Sequence, residues 1–109
     1  MSAYVPEEGD IVWIQLSPTV GREQSGHRPA LVLSPARFNR RSRLMLCVPM
    51  TSRAKGYPFE VPIYADRPGV ALVDQARCVD FDGRGVSKKS VASSTELEQV
   101  RELLRALVG

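Results

Sequence analysis

Six short apolar runs, cut apart by proline and glycine, limit this chain to a small fold of short strands. They cover residues 11–16, 29–34, 44–50, 59–63, 70–73 and 76–81. The first follows the turn signal Glu8-Gly9-Asp10, the second is bounded by Pro29 and Pro35, and the fifth follows Arg67-Pro68-Gly69. Runs of this length bounded by turn residues read as strands, because helices need longer periodic segments. Many such strands in 109 residues predict one small barrel or sandwich. Pro62 interrupts the fourth run and has no N–H for a ladder, so that strand is expected at an edge or a bulge.

The C-terminal segment has another period. Leu97, Val100, Leu104, Leu107 and Val108 recur at helical spacing with Leu103 beside them, while Glu98, Arg101, Glu102 and Arg105 fill the opposite face. Ser93 and Glu96 fit a capping box just before this run. The pattern predicts an amphipathic helix from about Ser94 to Val108, its stripe packed on the sheet or joined to a second copy.

Length and composition then narrow the class. A 12.0 kDa chain of 109 residues is one domain, 1–109, and 43% hydrophobic with 25% charged residues argues against disorder. No apolar run is long enough to span a bilayer. The N-terminus lacks a basic region followed by an apolar one, so it does not read as a signal peptide, and a cytoplasmic protein is expected. Cys47 and Cys78 lie far apart and His27 is the one histidine, which argues against a Cys/His zinc site. In a reducing compartment both cysteines are expected to be buried apolar residues. The net charge is +3, and twelve of the fifteen basic residues are arginine. Arginine is the better fork for phosphate and stacks on bases, which favours nucleic acid modestly.

Polar residues concentrate in four places. Residues 18–29 join two strands and hold Glu23, Gln24, His27 and Arg28. Arg28 stands directly before a strand, so its head can reach a groove or pair with a carboxylate such as Glu23. Thr51 and Ser52 follow the third run, with Arg53, Lys55 and Gly56 beyond them, as a phosphate site or a solvated turn. Asp74-Gln75 ends a Val/Leu run and reads equally as a turn capped by its own aspartate. Arg84, Lys88 and Lys89 form a basic strip that tracks a backbone or blunts an edge strand.

These segments resemble the MazF/PemK (Kid) family of bacterial toxins, the mRNA-cleaving halves of type II toxin–antitoxin pairs. The likeness runs through Tyr4-Val5-Pro6, Gly9-Asp10-Ile11-Val12-Trp13 and the long stretch Glu23-Gln24-Ser25-Gly26-His27-Arg28-Pro29-Ala30-Leu31-Val32-Leu33-Ser34-Pro35. It continues through Leu46-Cys47-Val48-Pro49-Met50-Thr51-Ser52, Lys55-Gly56-Tyr57-Pro58-Phe59-Glu60-Val61 and Gly69-Val70-Ala71-Leu72-Val73-Asp74-Gln75. It covers essentially the whole chain and is closest to the MazF branch.

The resemblance implies a mainly β, SH3-like small barrel (the PemK/CcdB-like toxin fold) with a C-terminal helix, working as a homodimer. It implies a metal-independent endoribonuclease, without cofactor, that cuts single-stranded RNA at short sequences. The RNA's own 2′-hydroxyl would attack, leaving a 2′,3′-cyclic phosphate and a 5′-hydroxyl. By the same resemblance Arg28 and Thr51 are the catalytic positions, and Glu23 and Asp74 are the acid–base candidates. The Kid branch carries an arginine two residues before that aspartate where this chain has Leu72, which argues against Asp74 in that role. Gln24, His27, Ser52, Lys55 and Arg84 are the expected RNA contacts. An acidic, partly disordered MazE-like antitoxin is the expected partner. The same barrel also serves gyrase poisons and non-catalytic RNA- or protein-binding modules, and cleavage in EDTA separates these.

Overall fold

A computed structural model describes residues 4–17, 21–24, 26–65 and 67–109. In chain order the elements are β1 (Asp10–Gln15), β2 (His27–Val32), α1 (Ala36–Ser42), β3 (Leu44–Thr51), β4 (Glu60–Ile63) and β5 (Gly69–Leu72). A 3-10 turn (Val73–Gln75), β6 (Arg77–Asp80), β7 (Ser87–Val91) and α2 (Ser94–Val108) complete them. Pro18, Thr19, Val20 and Ser25 of the long loop lie outside the described residues. No helix among the described residues is long and apolar enough to cross a membrane.

The strands form a curled antiparallel sheet in the order β4-β5-β3-β2-β1-β7. β3 is its spine. One edge pairs with β2, from Ala30↔Pro49 to Val32↔Cys47. Its other edge is shared: residues 44–47 pair with β6, whereas Met50 and Thr51 pair with β5. The 3-10 turn separates those two partners and is tied back by Val73 N–H donating to the Phe59 carbonyl at 3.1 Å. β4 is the outer strand, as Pro62 predicts, and Pro62 lies exposed opposite Val70.

Both faces of the central strands are covered, which is why their sequences read as continuous apolar runs. Ile11, Leu31, Leu33, Val48, Met50 and Ile63 face one core, closed by Val100 of α2. Val12, Ile14, Ala30, Val32, Met45 and Cys47 face the other, with Val79 and Phe81. α2 occupies the expected residues with both halves of its capping box formed. Leu97, Val100, Leu103 and Leu104 pack on the sheet, while Leu107 and Val108 remain 49% and 79% exposed. The stripe therefore packs inward for most of its length and emerges in its last turn.

Two features differ from the sequence expectation. α1 was not expected, because its ARFNRRS sequence has no apolar stripe. Tertiary hydrogen bonds hold it instead. Fully buried Asn39 donates through Nδ2 to the carbonyls of Pro6 (2.8 Å) and Ser34 (3.0 Å), and its Oδ1 accepts from Ser34 Oγ at 2.6 Å. The second difference is Cys78, which is exposed, whereas Cys47 is buried. Alternation in β6 explains it: Val79 faces the core opposite Met45, so Cys78 faces outward between Arg77 and Val79.

Candidate active site

The β2–β3 register brings the first two site candidates together. The ladder ends at Ala30↔Pro49, and Arg28, two residues before Ala30, and Thr51, two after Pro49, lie just beyond it on the neighbouring strands. Arg28 is held on its other side by β1, opposite Ile14. Glycine at 69 lets the start of β5 close over this corner, because a Cβ there would lie 3.0 Å from the Thr51 carbonyl oxygen. Thr51 Oγ1 accepts the Arg53 N–H at 3.2 Å, which orients the hydroxyl and leaves its proton available for donation.

Arg28, Thr51, His27 and Ser52 line one open cavity of about 230 Å³. Its floor is Ile11, Met50 and Ile63, and Arg67 and Lys89 add charge at its rim. One wall is a ring array. Trp13 lies opposite Pro29, so His27 is its diagonal neighbour, and the two rings sit 5.4 Å apart at 31°. Lys89 Nζ lies 5.4 Å from the Trp13 ring centre. A bulge places that lysine: Ile11 pairs with Ser90 and Val12 with Lys88, leaving Lys89 as the extra residue. His27 is thus an exposed cavity residue, stacked outside the barrel core.

Glu23, Gln24 and Asp74 line a different cavity, of about 390 Å³, together with Pro49, Gln75 and Arg77. The two linings meet along β3, where Pro49 belongs to this cavity and Met50 and Thr51 belong to the first. The loop is joined to the 3-10 turn by Gln24 N–H donating to Gln75 Oε1 at 2.7 Å. Arg28, Thr51, His27 and Ser52 thus line the first cavity, and Glu23, Gln24 and Asp74 line the second. Lys55 and Arg84 line neither cavity. Lys55 is exposed, and its backbone N–H donates to the Glu60 carboxylate at 3.1 Å. Arg84 donates to the carbonyls of Gln15 (3.0 Å) and Ser17 (3.2 Å), fixing the end of β1.

Sequence reasoning did not single out Trp13 or Arg67 as site residues, and it saw Lys89 only as part of a basic strip. Trp13 looked like one more residue of an apolar strand. Its phase is that of Ile11, opposite to Val12 and Ile14, and it is half-buried where that face opens into the cavity, which the apolar sequence does not mark. The bulge at Lys89 leaves no sequence signal beyond a lysine pair.

Comparison with known proteins places the fold in a family. The family model described as PemK-like, MazF-like toxin of type II toxin-antitoxin system matches residues 7–108. The chain is 44% identical over 110 residues to the endoribonuclease toxin MazF of Escherichia coli K12, covering all of this chain and 99% of that one. A crystal structure of MazF from Deinococcus radiodurans superposes with a TM-score of 0.94 at 45% identity, covering 98% of this chain and 99% of that chain. MazF in a MazE-MazF crystal structure from the same organism superposes with a TM-score of 0.87 at 45% identity, covering 98% of each chain. With its sheet, its terminal helix and nearly its whole length matched, the chain belongs to the PemK-like, MazF-like toxin family of type II toxin–antitoxin systems.

Proposed function

We propose that this toxin is a sequence-specific, metal-independent endoribonuclease that cuts single-stranded RNA, with the reacting phosphate held by Arg28 and Thr51. The observation that carries the reading is their meeting in one open cavity beside stacked rings. The 2′-oxygen of one nucleotide attacks the adjacent phosphorus as the bond to the 5′-oxygen breaks, giving a 2′,3′-cyclic phosphate and a 5′-hydroxyl. The nucleophile belongs to the RNA, so the protein aligns it and stabilises charge on the phosphoryl oxygens. The Arg28 guanidinium supplies forked donors to those oxygens, and Thr51 supplies a hydroxyl donor. Trp13 and His27 offer a stacking face for an unpaired base, and Ser52 and Lys89 offer donors near it. Glu23 and Asp74, which line the second cavity with Pro49, are the proposed acid–base candidates, and Gln24 beside them is a proposed RNA contact. Lys55 and Arg84 are proposed as outlying RNA contacts.

The likeness to a MazE-MazF structure supports an antitoxin partner, whose proposed form is an acidic, partly disordered tail that covers the Arg28 cavity and competes with RNA. The working unit is proposed as a homodimer in the cytoplasm. The test uses a long single-stranded RNA and purified protein in excess EDTA, with the 5′ ends of the products mapped. Cuts at one recurring short motif with 5′-hydroxyl ends are expected. Well-folded dimer that leaves the RNA intact would overturn the reading in favour of a gyrase poison or a binding module.

A further inference from the structure

The arginines of this chain are unevenly placed. Residues 36–43 hold four of the twelve, and outside that segment eleven basic residues face twelve acidic ones. The entire positive excess of the molecule therefore sits on α1 and its C-terminal cap.

The four arginines divide by environment. Arg43, in the left-handed conformation (φ 60°), closes the helix. Its guanidinium forks onto Asp82, Nε to Oδ2 and Nη2 to Oδ1 both at 2.9 Å, and lies 5.0 Å from the Phe81 ring centre. Arg37, Arg40 and Arg41 are exposed, and their side chains make no hydrogen bond or ion pair with another described residue. Arg40 and Arg41 lie in the last turn, where a cation suits the helix dipole. Arg37 lies in the first turn, which holds no acidic residue and where the dipole disfavours a cation. Helix electrostatics thus leave Arg37 without a structural reason. Spacings of three and four put Arg37 beside Arg40 and Arg41, and Phe38, 44% exposed, beside Arg41.

We propose that this face of α1 binds the phosphates of single-stranded RNA flanking the segment held in the Arg28 cavity. The proposal rests on the ribonuclease reading above. Guanidinium forks next to an exposed ring are the combination that tracks an unpaired strand. The buried Asn39 latch fixes the helix, so the arginines are presented on a rigid support. α1 leads into Leu44 at one end of β3, and Thr51 is at the other, roughly 23 Å away at the rise of an extended strand. Only RNA extending several nucleotides beyond the cut reaches both.

The test is binding, by fluorescence anisotropy, of mixed-sequence single-stranded RNAs of about 6 and about 24 nucleotides, lengths that bracket common single-strand site sizes. Both carry 2′-O-methyl sugars so that cleavage cannot interfere. The variant combines Arg37→Gln, Arg40→Gln and Arg41→Gln, and its melting is compared with the parent. It is expected to bind the long RNA at least about 10-fold more weakly, with a log–log salt slope shallower by about two, and to bind the short RNA unchanged. The triple lysine variant is expected to restore most of the long-RNA affinity. Equal binding of the long RNA by parent and variant, or equal losses on both lengths, would overturn the proposal. So would a loss confined to an acidic polypeptide such as polyglutamate, which would assign the face to a protein partner. Failure of the ribonuclease reading is visible separately, as parent protein that cuts no unmodified RNA.

Discussion

Burial treats the two thiols differently. Cys47 is fully buried, and desolvation pushes its thiol from near 9 up to about 12. Above the ordinary value the unfolded chain releases a proton that the folded chain keeps, so this contribution to stability is full below about pH 9 and is lost as pH rises toward 12. Tyr4 adds to the same trend. Burial, and then the bond from its hydroxyl to Asp10 Oδ2 at 2.5 Å, hold its phenol above the ordinary value. A thiol reagent at pH 8 is expected to modify Cys78 alone in the folded protein, with Cys47 reacting only in denaturant. Rapid reaction of both thiols in the native state would contradict the burial. Trp13 is the residue by which the cavity's stacking function is checked. Trp13→Ala is expected to weaken RNA binding about 10-fold, since one base stack is worth roughly 1–3 kcal/mol. Unchanged affinity would remove the ring array from the RNA path.

The elements were legible in proportion to how locally they are specified. Strand punctuation and the Ser93/Glu96 box are local signals, and the helix they predicted has the same bounds. α1 was not legible because its support is not local: Asn39 bonds to Pro6, thirty-three residues away in sequence. Asn39→Ala would leave the Pro6 carbonyl and the Ser34 hydroxyl without their partner, with a cost of about 2 kcal/mol read as a lower urea midpoint. Ser93→Ala removes the cap from α2 and is expected to lower stability by about 1 kcal/mol in the same assay. A larger loss for the surface cap than for the buried latch would reverse the assignment of which contact anchors its helix.

For the whole molecule, the decisive facts are those of register. Sequence named Arg28 and Thr51 only through a family likeness. Their meeting depends on a ladder between strands 44–51 and 27–32 whose phase no single segment encodes. Glu23 and Asp74 line a second cavity with Pro49, a division invisible in the sequence, where all four simply lie in loops or at strand ends. The acid–base reading carries a kinetic expectation: Glu23→Gln and Asp74→Asn should lower kcat more than they raise KM for RNA. The most direct measurement of the central claim is single-turnover cleavage of a mapped RNA site in EDTA by Arg28→Ala, at saturating protein and with folding checked by melting. Loss of the preorganised guanidinium is expected to slow the cut at least about 100-fold while RNA affinity changes by less than about 10-fold. Cleavage of the same site at nearly the parent rate would show that the phosphate reacts elsewhere and that the Arg28 cavity is not the active site.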